Sequence, residues 1–146
     1  MREILFRGKR TSNGEWEYGD LWRHPYGKPD ICIANPINGD GTMGGRTVLP
    51  ETVGQFTGLT DKNGERIYEG DILESRASEN KLDWKRWKVY FEDGCFAFES
   101  YAKVVKSRRR YRHEINMLCA DEIELYGLVV VGNIHDNPEL MMEVEV

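Results

Sequence analysis

Three Asn-Gly or Asp-Gly steps, Asn13-Gly14, Asn63-Gly64 and Asp93-Gly94, each stand between alternating or aromatic runs. Such a step tolerates positive φ at both central positions and turns the chain back through a two-residue type I′ loop. Reading outward from each loop gives a testable register. Around Asn13-Gly14, Arg10 faces Glu17, Arg7 faces Asp20 and Leu5 faces Trp22. Around Asn63-Gly64, Asp61 faces Arg66 and Leu59 faces Tyr68. Around Asp93-Gly94, Phe91 faces Phe96, Val89 faces Phe98 and Lys88 faces Glu99. Opposite charges or apolar partners across a ladder each contribute about 0.2–1 kcal/mol, so all three registers are self-consistent. A three-residue loop closed by a glycine bulge would shift them.

Strands are predicted at 3–10, 15–21, 30–34, 46–49, 53–59, 67–74, 84–92, 95–101 and 128–134. Leu128-Val129-Val130-Val131 is apolar at both parities, which predicts a central strand covered on both faces. Helix is scarce. A short turn is expected over Glu114–Cys119, and Asn137-Pro138-Glu139 has the cap, the N1 proline and the early acid of a helix start reaching about Met142. Strands at regular spacing with Gly-rich turns imply an antiparallel barrel or sandwich with one or two short helices. Asn35–Gly45 is the longest loop, and a boundary is expected near residue 50, between an N-terminal β lobe (1–50) and a C-terminal barrel (51–146).

The 146 residues include four Trp, seven Tyr and five Phe, and 31% are charged. A chain this long buries roughly 70% of its unfolded surface, so no disulfide or metal is required, and the aromatic content excludes general disorder. No apolar run reaches the roughly 18 residues of a membrane span. Met1-Arg2-Glu3 leads into alternation rather than a secretory apolar segment. Cys32, Cys95 and Cys119 are an odd, widely spaced set, expected as free thiols acting as small buried hydrophobes in the cytoplasm.

The chain is acidic, with 25 acidic against 20 basic residues, yet Lys103, Lys106, Arg108, Arg109, Arg110 and Arg112 fall in one stretch without an acid. Subtracting these six from the 20 leaves 14 basic residues against 25. Six cations beside Tyr101 and Tyr111 are a candidate contact for nucleic acid or a partner, with phosphates on the charges and bases on the rings. Neutralising six phosphates on duplex DNA implies a salt slope of roughly −5. A solvated ribbon, or charge balance against the acidic remainder within the molecule or across a subunit contact, is the plainer explanation, and the net charge of −5 argues against nonspecific binding.

The remaining motifs fail on context. Gly39-Asp40-Gly41-Thr42-Met43-Gly44 has dinucleotide-loop spacing, but the extended, Pro-terminated run that follows opens no helix. Asp61-Lys62-Asn63-Gly64 begins like a calcium loop, yet Gly is fourth and Ile72 stands where the bidentate Glu belongs. His24, His113 and His135 have no second histidine or cysteine at zinc spacing. His135 beside Asp136 belongs to the turn entering the last helix. No cofactor, metal or catalytic residue is expected.

Three stretches resemble the YopX family of small phage and prophage proteins. They are Ile4-Leu5-Phe6-Arg7-Gly8-Lys9-Arg10 with Asn13-Gly14-Glu15-Trp16 and Tyr18-Gly19; Pro50 through Gly64, continuing Ile67-Tyr68-Glu69-Gly70-Asp71-Ile72; and Val131 through Leu140. The resemblance implies a mainly β fold with a part like an SH3 barrel, and Glu69-Gly70-Asp71-Ile72 is similar to the turn entering a strand in such barrels. It brings no established activity. The expectation is therefore a non-enzymatic module binding a protein partner or a second copy of itself, with nucleic-acid binding through residues 103–112 as the alternative.

Overall fold

The computed structural model describes residues 1–34, 43–100 and 114–141, with backbone only for 32–34 and 43–44. The chain divides into two compact units, Met1–Gly58 and Leu59–Val146. The architecture is mainly β: two antiparallel sheets and, among the described residues, one α-helix.

The first unit contains β1 (Phe6–Lys9), β2 (Trp16–Trp22), β3 (Asp30–Ala34), β4 (Met43–Thr47) and the start of β5 (Gly54–Thr60), ordered β4-β3-β2-β1-β5. The strand predicted at 46–49 instead begins at Met43 and yields to a 3-10 turn at Pro50–Thr52. The β1–β2 register differs from expectation. Arg7 faces Tyr18 and Gly8 faces Glu17, two positions from the predicted pairing. The cause is a four-residue loop: Arg10 N–H donates to the Glu15 carbonyl at 2.9 Å, and Gly14 N–H to the Arg10 carbonyl at 3.0 Å. An even shift leaves every side chain on its predicted face. The predicted Arg10–Glu17 ion pair consequently survives as a diagonal contact, with Glu17 buried. Gly8 lets β1 press against Val48, where a Cβ would lie 2.9 Å from the valine's carbons. Thr52 ties the 3-10 turn to β1 by donating its hydroxyl to the Leu49 carbonyl and accepting Lys9 N–H at 2.9 Å.

The second unit holds the end of β5, then β6 (Arg66–Tyr68), β7 (Asp71–Ser75), β8 (Arg86–Glu92), β9 (Cys95–Ser100), β10 (Glu114–Met117), α1 (Ala120–Tyr126) and β11 (Leu128–Asn133). Its five-stranded sheet has the order β10-β9-β8-β7-β11, and no hydrogen-bonded pairing closes β10 onto β11 among the described residues. The β8–β9 hairpin has the predicted register throughout: Phe91 faces Phe96, Val89 faces Phe98 and Lys88 faces Glu99. Asp93 and Gly94 take φ of 51° and 78°, as a two-residue type I′ turn requires. The turn at Asn63-Gly64 is longer. Asp61 N–H bonds the Glu65 carbonyl at 2.8 Å, so Asp61 faces Glu65 rather than Arg66.

Four further expectations change. The predicted strand 67–74 breaks at Glu69-Gly70, because Asp71 Oδ2 folds back to accept Tyr68 N–H at 2.7 Å. Glu114–Met117 is strand rather than helix, paired with β9 through Ile115–Glu99 and Met117–Ala97. The helix follows it, with Asp121 and Glu122 in its first turn, where acids suit the helix dipole. The start at Asn137-Pro138 produces only a 3-10 turn, Pro138–Met141.

The apolar run in β11 lies at a sheet edge, not at its centre. Its outer side is satisfied by the Asp61 corner instead of a strand: Lys62 N–H donates to the Leu128 carbonyl at 3.1 Å. Val130 N–H donates to Asp61 Oδ2 at 2.9 Å. The other oxygen, Oδ1, accepts Asn63 and Glu65 N–H, so this buried carboxylate joins hairpin and strand. Ile67, Leu73, Trp87, Val89, Phe98, Leu118, Ile123 and Leu128 form the core of this unit. Trp87 meets Phe98 edge-on at 4.9 Å between ring centroids.

Candidate functional site

The basic stretch Lys103, Lys106, Arg108, Arg109, Arg110 and Arg112, with Tyr101 and Tyr111, lies outside the described residues, as do Asn38-Gly39 and Asp40-Gly41. After the glycine-rich stretch comes strand β4, not the helix a dinucleotide site needs. Cys95 and Cys119 are free and half-buried rather than buried. His135 sits in a turn organised by Asn133, whose Oδ1 accepts the His135 and Asp136 N–H groups at 3.0 and 2.9 Å. Asp136 Oδ2 accepts from Asn133 Nδ2 at 3.0 Å, so this carboxylate helps brace the turn. Glu69-Gly70-Asp71-Ile72 is likewise structural.

The described residues do gather polar and aromatic groups that no sequence motif marks. Cross-strand pairing aligns Trp22 of β2 with Asp30 of β3, and Asp30 with Thr47 of β4. Paired residues in adjacent strands share a sheet face, so the three stand in one row. His24 completes the group. Its ring lies 4.3 Å from the Trp22 ring, tilted 41°, and Nε2 donates to Asp30 Oδ2 at 2.9 Å. The Thr47 hydroxyl donates to Asp30 Oδ1 at 2.8 Å. The hydrogen bond from His24 is the largest influence on Asp30, and with Thr47 and the charge of His24 it holds the carboxyl below its ordinary 3.8 despite partial desolvation.

This arrangement orients rings and carries no nucleophile. Thr47 donates to the carboxylate and not to the imidazole, so the imidazole is not placed to take its proton. What the cluster presents outward is aromatic: Trp22 is 55% exposed and Tyr26, in the β2–β3 loop, 98%. Tyr18 lies on the same face of β2 as Trp22, and Trp16, further along, carries the Arg7 guanidinium 4.6 Å above its ring. Zinc spacing assigns His24 no role. The available signal was the Pro25-Tyr26-Gly27 segment, a turn that brings positions 22 and 30 together.

Fold and site together define a mainly β protein of two antiparallel sheets whose described residues include an aromatic, hydrogen-bonded cluster. The chain belongs to the YopX family: the family model, described as YopX protein, matches residues 5–142. A similar solved structure is the crystal structure of protein EF1440 from Enterococcus faecalis, 24% identical, covering 97% of this chain and 100% of that one with a TM-score of 0.58. That likeness concerns the fold. No curated protein matches. Among the described residues, no helix is long and apolar enough to cross a membrane.

Proposed function

We propose that this chain is a non-enzymatic phage accessory module that binds a protein partner or a second copy of itself, built from an N-terminal β lobe and an SH3-like C-terminal barrel. The SH3-like reading is supported by the consecutive antiparallel strands β7 to β10 and by the Gly70-Asp71 turn that enters them. The binding reading rests on β10. Among the described residues it is an edge strand of the five-stranded sheet, and it exposes Ile115 and Met117 to 52% and 62% on one face. Edge strands carrying apolar side chains favour pairing with another chain, and natural sheets block such pairing with charge.

Mass measurement by light scattering across protein concentrations, with amide exchange, tests it. The expected result is a dimer or a partner complex in which the 114–117 amides gain protection, lost in an Ile115→Lys, Met117→Lys variant. A monomer whose β10 amides exchange identically with and without partner would refute the reading, as would specific catalytic turnover by the purified chain. Nucleic-acid binding through Lys103–Arg112 is the second reading, favoured by six cations without an intervening acid. Replacing Arg108, Arg109, Arg110 and Arg112 by Gln should then abolish binding and its salt dependence.

A further inference from the structure

We propose that the β2–β3 loop, from Trp22 to Asp30, is a stacking site for the bases of single-stranded nucleic acid. This goes beyond the module reading, which places its contact on β10 in the other unit. Trp22, His24 and Tyr26 alternate along the loop, with Arg23 and Lys28 among them and no acid between Trp22 and Asp30. Both cations and Tyr26 are exposed. Aromatic rings interleaved with cations are the chemistry that holds single strands, with bases on the rings and phosphates on the charges. Residues 23–29 carry Arg23 and Lys28 and no acid, so the loop is cationic between the flanking Asp20 and Asp30, a complementarity that an uncharged apolar partner would not need.

The support beneath the ring is the second argument. A solvent-exposed indole needs no anchoring for stability. Yet Trp22 is backed by His24, His24 is fixed by Asp30, and Asp30 by Thr47, a chain across three strands. A ring held in advance binds without the ordering cost of a free side chain. Trp22 and Tyr26 would be the contact residues; His24, Asp30 and Thr47 are positioning residues.

Fluorescence anisotropy of labelled oligothymidylate and oligouridylate, titrated with the full chain at low and physiological salt, tests this. Trp22→Ala should weaken binding about tenfold or more, Tyr26→Ala less, and Trp22→Phe should restore most of the loss. Arg23→Gln with Lys28→Gln should reduce the logarithmic salt slope by about 1.4, since each phosphate contact on a single strand contributes roughly 0.7. His24→Ala should cost a few-fold and also shift Trp22 emission, which a remote structural effect would not. The variant with Arg108, Arg109, Arg110 and Arg112 changed to Gln separates the two nucleic-acid readings, because Trp22-dependent binding should persist in it. Circular dichroism should be unchanged for the exposed-residue variants. The proposal fails if the wild-type chain binds no single strand at low salt, or if Trp22→Ala and Tyr26→Ala bind like wild type. It fails too if those variants alter only the oligomeric mass, which would make a second copy the occupant.

Discussion

In residues 59–146 eight apolar side chains form one contiguous cluster, with Trp87, Phe98 and Tyr126 in mutual ring contact. Residues 1–58 bury Ile31, Val48 and Phe56 together with Arg7, Glu17 and Thr52. The second unit adds this apolar cluster to buried polar groups of its own, among them Asp61, Asp71 and Asn133. In the first unit the described buried side chains are half polar, so polar contacts and the Gly8–Val48 approach are a larger share of what holds it. Apolar burial is non-directional and tolerates small shifts. Polar burial requires each partner to be in place. The unit that depends more on placement is also the one that aligns Trp22, His24, Asp30 and Thr47, so its sensitivity and its candidate site have a common origin.

Trp87→Ala should break the second unit most severely. Removing a fully buried indole costs about 3–5 kcal/mol, read as a lower urea midpoint. Trp87→Phe sharpens the point. It keeps a ring against Phe98 while removing Nε1, a buried donor with no hydrogen-bond partner among the described residues. Its cost should stay near 1 kcal/mol, since deleting an unsatisfied donor recovers part of the lost packing. Equal losses for Ala and Phe would mean that the cluster depends on the indole's shape rather than on buried area.

The first unit is expected to yield to a smaller change. Gly8→Ala adds one methyl group, but places it 2.9 Å from two carbons of Val48. Val48 is fully buried, and its N–H is bonded to the Pro29 carbonyl at 3.0 Å, which limits retreat. Overpacking of this kind costs about 1–3 kcal/mol. Gly8→Ala with Val48→Ala should recover only part of the clash energy, because the Cβ at position 48, itself 2.9 Å from the added methyl, remains, and a cavity loss is added. Additive effects in the double variant would show that the two positions do not touch as described.

How far the sequence could be read depends on the same contrast. The β8–β9 register was legible because Asp93 and Gly94 close the two-residue turn through their own positive φ, and the Cys95 thiol, which donates to the Glu92 carbonyl at 3.4 Å, joins the flanking pair without lengthening the loop. At Asn63-Gly64 the Asp61 carboxylate captures two turn amides and lengthens the loop, a contact that pair counting does not include. The same carboxylate bonds Val130, which explains how an apolar run read as central can occupy an edge. The mainly β, antiparallel character followed from turn chemistry and alternation. The Trp22–His24–Asp30–Thr47 cluster did not, because it unites three strand ends whose pairing depends on turn geometry in the β2–β3 loop.

Asp30→Asn is the mildest change and tests whether the polar scheme of the first unit titrates. The Asp30 carboxyl lies below its ordinary 3.8 in the folded chain, chiefly through the bond from His24. A carboxyl lowered on folding adds stability that is fully present above its unfolded value and is lost as pH falls through the folded one. Wild type should therefore exceed Asp30→Asn at pH values above the ordinary 3.8, and the margin should shrink as pH falls below it. The Asp30 and His24 side chains are 15% and 31% exposed, so solvent screening keeps that margin below about 1 kcal/mol. Trp87→Phe, which changes no ionisable group, should show no such dependence on pH. A margin for Asp30→Asn that widens on acidification would mean that the carboxylate is not stabilised by His24, and the support beneath Trp22 would lose its central link.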